Sequence, residues 1–224
     1  MDYIAAYEEV ILLLEDNRNS DQANSMSAYM RDQFQFYGIK SPLRKELVKE
    51  IKAVVKPIAS VEYQEFIQLL WDDPHRECQY IATDLMGSIK KKLGLDWIDF
   101  LEQLILSKSW WDTVDFLAPN LIGNIFARNV EIGYTYTDRW IESDNFWLQR
   151  SALIYQLRYK DKVDFERLTR YILRRKNSDE FFVQKAAGWA LRQYSKFDSE
   201  AVREFLSENG DLARLTTREG SKYL

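Results

Sequence analysis

The segment Trp110-Trp111-Asp112-Thr113-Val114-Asp115 places two adjacent indoles and two carboxylates at the start of a helical pattern. A carboxylate one turn beyond an indole is equipped to stabilise a developing positive charge. The indole face adds a cation–π contribution of ~1–2 kcal/mol when desolvated. Ser109 and Asp112 stand at capping-box spacing, which gives Asp112 a structural task. Asp115 lies a turn further in, beyond capping reach. Trp111 and Asp115 are four apart and share a face, whereas Trp110, Val114 and Leu117 share another and read as core. Trp111 and Asp115 are therefore the pair expected to look outward.

A second constellation lies in 182–192. Lys185, Trp189 and Arg192 fall at i, i+4 and i+7, one stripe that joins an aromatic to two cations. Steps of 35 residues through Asp115 reach Lys45, Tyr80, Arg150 and Lys185, each inside a helical pattern. Equivalent helices would then present a polar row with one carboxylate in its middle. Cations suit phosphates, and indoles suit sugar faces and bases. Two plainer readings stand beside this one. A single helical Trp such as Trp189 is commonly core, and Asp115 with Arg150 could be a structural ion pair between neighbouring repeats.

Other residue types narrow the chemistry. His75 is the only histidine and follows Pro74 at a helix start, where capping or surface exposure is expected. No Cys/His pairs stand at ligand spacing, so no metal site is expected. Gly-rich phosphate loops and Ser/Cys–His nucleophile signatures are missing, so no cofactor is expected. Lys90-Lys91-Lys92 and Arg174-Arg175-Lys176 sit at expected helix C-termini, which favour cations in any case. A role for them on a nucleic-acid backbone is secondary at this stage.

Composition says what must hold these residues. The 224 residues include only eight glycines and four prolines, with 46% hydrophobic and 29% charged residues. Few breakers and many Leu, Ile, Glu, Lys and Arg indicate an all-α protein, long enough to bury roughly 70% of its unfolded surface. Periodicity predicts helices over about 2–16, 21–35, 42–55, 60–71, 75–91, 95–107, 110–118, 120–128, 130–142, 145–158, 163–175, 179–195, 199–207 and 216–222. Gly38, Pro57, Pro74, Gly94 and Gly210 mark stops between them. Cys78-Gln79-Tyr80-Ile81-Ala82, Leu148-Gln149-Arg150-Ser151-Ala152 and Val183-Gln184-Lys185-Ala186-Ala187 repeat one pattern. Their glutamines lie two periods and one period of 35 apart. Such periods predict a single domain over 1–224, a HEAT-like helical repeat solenoid of stacked helix pairs with a concave binding face. Ala82, Ala152 and Ala187 are small enough for adjacent helices to approach closely.

No apolar run reaches the ~20 residues of a membrane span, and the acidic N-terminal stretch does not resemble an export signal. One cysteine suits a reducing cytosol. A cytoplasmic protein is expected, monomeric by default, with no membrane and no obligate protein partner. The formal charge of −4 is uneven. Residues 1–40 hold seven acids and three bases; taking these from 35 acids and 31 bases leaves 28 of each. A neutral body can still carry a basic face.

Ser109–Asp115, then Ser143-Asp144-Asn145-Phe146-Trp147-Leu148-Gln149-Arg150, then Phe181–Arg192 closely resemble the AlkD-type DNA alkylation-repair glycosylases. The likeness runs from Ala28-Tyr29-Met30 to Thr217-Arg218-Glu219. It implies HEAT-like repeats whose concave face holds double-stranded DNA, and excision of purines alkylated at N3 or N7, chiefly 3-methyladenine and 7-methylguanine. Asp115 resembles the family's catalytic aspartate, and Trp111 and Trp189 its tryptophans flanking the lesion's deoxyribose. Arg150 resembles an arginine on the adjoining DNA backbone. Tyr29, Ser41, Arg44, Lys45, Lys185 and Arg192 correspond to further DNA-surface positions. The resemblance also implies recognition through backbone and sugar, without a pocket for a flipped base. A non-catalytic HEAT-like module that binds distorted DNA, and a protein-binding helical scaffold, are the alternative readings.

Overall fold

The computed structural model describes residues 2–224, and helices dominate it. Their order is α1 Tyr3–Asp16, α2 Ser20–Tyr29, α3 Ser41–Val55, α4 Tyr63–Asp72, α5 Arg76–Ile89, α6 Ile98–Leu106, α7 Trp111–Phe116, α8 Gly123–Phe126, α9 Val130–Ile141, α10 Phe146–Ile154, α11 Phe165–Arg174, α12 Phe181–Tyr194, α13 Ser199–Glu208 and α14 Arg214–Gly220. Among the described residues there is no strand, only one isolated bridge between Gln35 and His75. The fold is the all-α helical repeat that periodicity predicts. Its contacts gather into two compact units, residues 1–89 and 90–224.

In the first unit α1 packs on α3 and α4, and α5 packs on both of those. The helix expected over 21–35 stops at Tyr29. Arg31 and Asp32 take positive φ (56° and 55°), which breaks the helical path, and Phe36–Ile39 then run buried and non-helical. The Glu77 carboxylate holds that segment, accepting from the backbone N–H groups of Tyr37, Gly38 and Ile39 at 2.9–3.0 Å. The positive-φ pair thus ends the helix, and Glu77 holds the non-helical segment just beyond the expected one. His75, expected to cap a helix or lie at the surface, directly precedes α5 and is half-buried, with its ring stacked on Tyr37 at 3.8 Å and its Nδ1 3.1 Å from Asp73.

In the second unit α10 packs against α9 and α12, and α12 packs against α14. Side chains at the helix starts explain where the helices begin. Asn145, Asp164 and Asp198 accept from backbone N–H groups of Trp147, Arg167 and Ala201, each at 2.9 Å. Small residues set the approach: Ala152 and Ala187 are buried, and a Cβ on Gly188 would meet Glu219 Cβ at 2.5 Å. Hydrogen bonds between successive repeats join Asp99 to Tyr136, Glu102 to Arg139, Gly123 to Tyr159 and Asp211 to Lys176.

The recurring glutamine has a physical task. Gln79, Gln149 and Gln184 each donate from Nε2 to the carbonyl six residues earlier, of Asp73 (2.9 Å), Ser143 (2.6 Å) and Ser178 (2.8 Å). The side chains of those same three residues accept from the N–H two positions on, in His75, Asn145 and Glu180. Each inter-helix loop is therefore clamped in the same way from the helix that follows it. Replacing Gln149 with Leu leaves the Ser143 carbonyl without its donor. A loss of about 1–3 kcal/mol is expected in urea-unfolding measurements.

Candidate active site

The repeat between Gln79 and Gln149 departs from this rule. Val114 stands where the glutamine would be, and Lys108 where the turn residue would be, with φ +47°. Trp110 is the N-cap of α7, extended at φ −156° and ψ 162°, with no side-chain cap bond. The expected capping box does not form, because the helix starts one residue too late for Ser109 to cap it. Ser109 Oγ instead donates to the Ile105 carbonyl at 2.5 Å, tying it to the end of α6. Asp112 Oδ1 accepts from the adjacent N–H of Thr113 at 2.9 Å.

The two helices expected over 110–118 and 120–128 are one continuous run. A π-helical stretch, Leu117–Ile122, joins α7 to α8. Pro119 has no N–H and its ring crowds the preceding turn, which a wider turn relieves. Asn120 Nδ2 donates to the Phe116 carbonyl at 3.0 Å, and Gly123 N–H reaches Ala118 O. The added residue also changes which side chains reach solvent. Trp111, Asp112, Asp115, Phe116, Asn120 and Asn124 are partly accessible while Val114, Leu117, Ala118, Leu121 and Ile122 are fully buried. The step of five from Asp115 to Asn120 spans the wider turn, so the accessible side continues from Asp115 to Asn124.

Asp115 meets the next repeat through a two-point ion pair. Arg150 Nε donates to Oδ1 at 2.7 Å and Nη2 to Oδ2 at 2.8 Å. Arg150 Nη1 donates to the Phe182 carbonyl at 2.6 Å, so the guanidinium ties α7 and α10 to α12. Its side chain is 4% exposed, whereas that of Asp115 is 20% exposed. Behind the pair lies an aromatic cluster: Phe182 is 4.8 Å from Trp147 and 5.5 Å from Trp110, and Phe146 stacks on it at 6.2 Å. Burial in this setting raises the Asp115 pKa above the ordinary aspartate value; the Arg150 hydrogen bonds and charge oppose that rise, as does the Lys185 charge, while Asp112 adds to it.

Of the other expected residues, Lys185 is near enough for its charge to act on Asp115. Lys185 is exposed on α12, with its Nζ 5.3 Å from the Phe181 ring. Trp189, one turn further along α12, is half-buried. Arg192 Nη1 is bound to Glu219 at 2.5 Å, and Lys222 shares that carboxylate. Arg150 was expected beside DNA phosphate; here it is buried with Nε, Nη1 and Nη2 all donating inside the protein. In the first unit Tyr29 is exposed at the end of α2, and Ser41 and Lys45 are exposed on the first turns of α3. Arg44 binds Asp84 at 3.2 Å and lies over the Tyr80 ring at 4.7 Å.

The DNA alkylation repair enzyme family matches residues 10–224. A structure of a predicted DNA alkylation repair enzyme from Enterococcus faecalis is 35% identical, with a TM-score of 0.85 over 92% of this chain and 96% of that one. The chain belongs to the DNA alkylation repair enzyme family. Two more distant structures share the fold. One is smu.31 from Streptococcus mutans UA159 (15% identity, TM-score 0.64, 98% and 99% of the two chains). The other is AlkD2 from Streptococcus mutans (18%, 0.62, 80% and 89%). No curated protein is a significant match. A repair enzyme of this family works on DNA, and no helix among the described residues is long and apolar enough to cross a membrane.

Sequence reasoning missed Trp147 and Phe182, which desolvate the pair, and the Phe182 carbonyl that completes the guanidinium. A signal was present, since the two aromatics lie 35 apart at the register position of Asp112. Arg150→Met should leave the Asp115 carboxylate buried without its partner and cost about 3 kcal/mol in urea unfolding. Adding Asp115→Asn to that variant should recover part of the loss, which a double-mutant cycle reads.

Proposed function

We propose that this member of the DNA alkylation repair family is a monofunctional DNA glycosylase for cationic N3- and N7-alkylated purines. The observation that carries the reading is a partly accessible carboxylate, Asp115, fixed at both oxygens by Arg150. A purine alkylated at N3 or N7 carries positive charge, so its glycosidic bond is already weakened and the base departs neutral. No general acid has to protonate it. Breaking the bond moves positive charge onto the deoxyribose as an oxocarbenium ion, which an anion held in place stabilises without reorganising. The same carboxylate can orient the water that attacks the sugar carbon. Trp111 shares the accessible stripe with Asp115, and Lys185 with Trp189 supplies a cation and an indole for phosphate and sugar. In this reading selectivity comes largely from the lability of the charged lesion, with DNA held by backbone and sugar and no base flipped into a pocket. The proposed phosphate and sugar contacts also include Tyr29, Ser41, Arg44, Lys45 and Arg192. Arg150 acts first by aiming Asp115, and reaches phosphate only if the pair opens.

Release of 7-methylguanine from methylated duplex DNA tests this. Asp115→Asn should lower the rate by about 10²–10³. Equal release by variant and wild type removes Asp115 as catalyst. A wild type that binds DNA and releases nothing leaves the non-catalytic DNA-binding alternative. The pH profile is a further check. Because the folded pKa of Asp115 is raised, the carboxylate takes up its proton at a higher pH than an ordinary aspartate. The ionised form is present above that value and is lost as pH falls through it. The acid limb of single-turnover release should therefore lie above the ordinary aspartate value of 3.8.

A further inference from the structure

The accessible stripe of the α7–α8 run does not end at Asp115. Its last members, Asn120 and Asn124, open into a concavity of about 440 Å³ that also takes in Lys90, Gly123, Arg158 and Tyr159. Every charged residue lining it is a cation. Two other surface concavities of this unit mix the signs: one sets Asp179 and Asp211 beside Lys176, Arg214 and Arg218, the other Asp144 and Glu180 beside Arg174 and Arg175, while a third, mainly apolar, has Lys160 as its charged residue. The second basic run shows the same contrast. Arg174 and Arg175 share Glu142, and Lys176 binds Asp211 at 2.5 Å, so two carboxylates offset most of that run's charge at the surface. Lys90, Lys91, Lys92 and Arg158 are exposed and enter no ion pair among the described residues. Arg128 adds charge at the rim, donating to the carbonyls of Lys91 and Leu93. The Tyr159 hydroxyl is spent on the Gly123 carbonyl, Asn120 Nδ2 on Phe116, and Asn124 Oδ1 accepts from Arg128 Nη2 at 3.5 Å, leaving the two cations and the Asn124 Nδ2 donor for a ligand.

Distance fits a second point on the same nucleic acid. Nine residues separate Asp115 from Asn124, roughly 13 Å along a helix. A B-DNA major groove is about 12 Å wide, so a duplex with a deoxyribose at Asp115 brings other phosphates to that range. We propose that Lys90, Arg158 and Asn124 form a phosphodiester-binding site that anchors duplex DNA away from the lesion. The π-helical turn is what places this site and the carboxylate on one stripe. The inference rests on the glycosylase reading for the position of the lesion, and its test separates the two.

Binding of a lesion-free duplex is measured by fluorescence anisotropy across a salt series, beside single-turnover release of 7-methylguanine at saturating enzyme. For Lys90→Gln/Arg158→Gln the slope of log affinity against log salt should fall in magnitude by about 1 per cation removed. Release at saturation should stay at the wild-type rate, because the site positions DNA and takes no part in bond cleavage. Asn124→Asp, near-isosteric and adding negative charge, should weaken binding at low salt without lowering the thermal midpoint. Unchanged salt slope in the double variant, or unchanged affinity in Asn124→Asp, overturns the site while wild-type release leaves the glycosylase reading standing. A wild type with neither duplex affinity nor release overturns both.

Discussion

The ion pair between Asp115 and Arg150 constrains everything around it. A buried guanidinium is tolerated only when its donors are occupied, and here three nitrogens are taken by one carboxylate and one backbone carbonyl. That requirement fixes α7, α10 and α12 against one another more sharply than apolar packing alone. The aromatic cluster of Trp110, Trp147 and Phe182 follows from it, since excluding water strengthens the pair. The pair is also held at a cost. With its folded pKa raised, Asp115 favours the folded state most when protonated, and that contribution is lost as pH rises through the folded value. A site that keeps an anion where the fold would rather have none is poised to meet a cation.

Much of this arrangement was legible in the chain. Residues four apart on a helix share a face, so Trp111 and Asp115 were correctly paired on one stripe. A period of 35 was enough to set Asp115 opposite Arg150. Less legible was everything that depends on the start of a helix or on one inserted residue. Ser109 looked like a cap because it stands three residues before Asp112, the spacing of a capping box, until the extended Trp110 takes the cap position. Pro119 looked like a boundary because proline ends most helices; a π turn lets this one continue. The helix expected across 30–35 failed for a different reason. Arg31 and Asp32 take positive φ, and Glu77, about forty residues away, holds the N–H groups of the non-helical Tyr37, Gly38 and Ile39 that follow.

Net charge proved a poor guide, as the sequence itself hinted. The chain is acidic overall, yet two basic runs of similar composition have opposite fates. Arg174, Arg175 and Lys176 are consumed by carboxylates one repeat away, whereas Lys90, Lys91 and Lys92 meet none. The spacing of acids at one repeat period, and not their number, decides which cations remain for a polyanion.

The glutamine clamps make most joints of this protein alike, and joints that are alike can be copied. A second copy of a clamped joint would bring its own loop closure with it. The stretch containing Asp115 cannot be copied so freely. Its partner Arg150 lies in the following repeat, 35 residues on. A duplicate inserted after it would set a second aspartate where the guanidinium belongs, leaving two half-buried carboxylates face to face. The order of repeats at this joint is therefore fixed by charge.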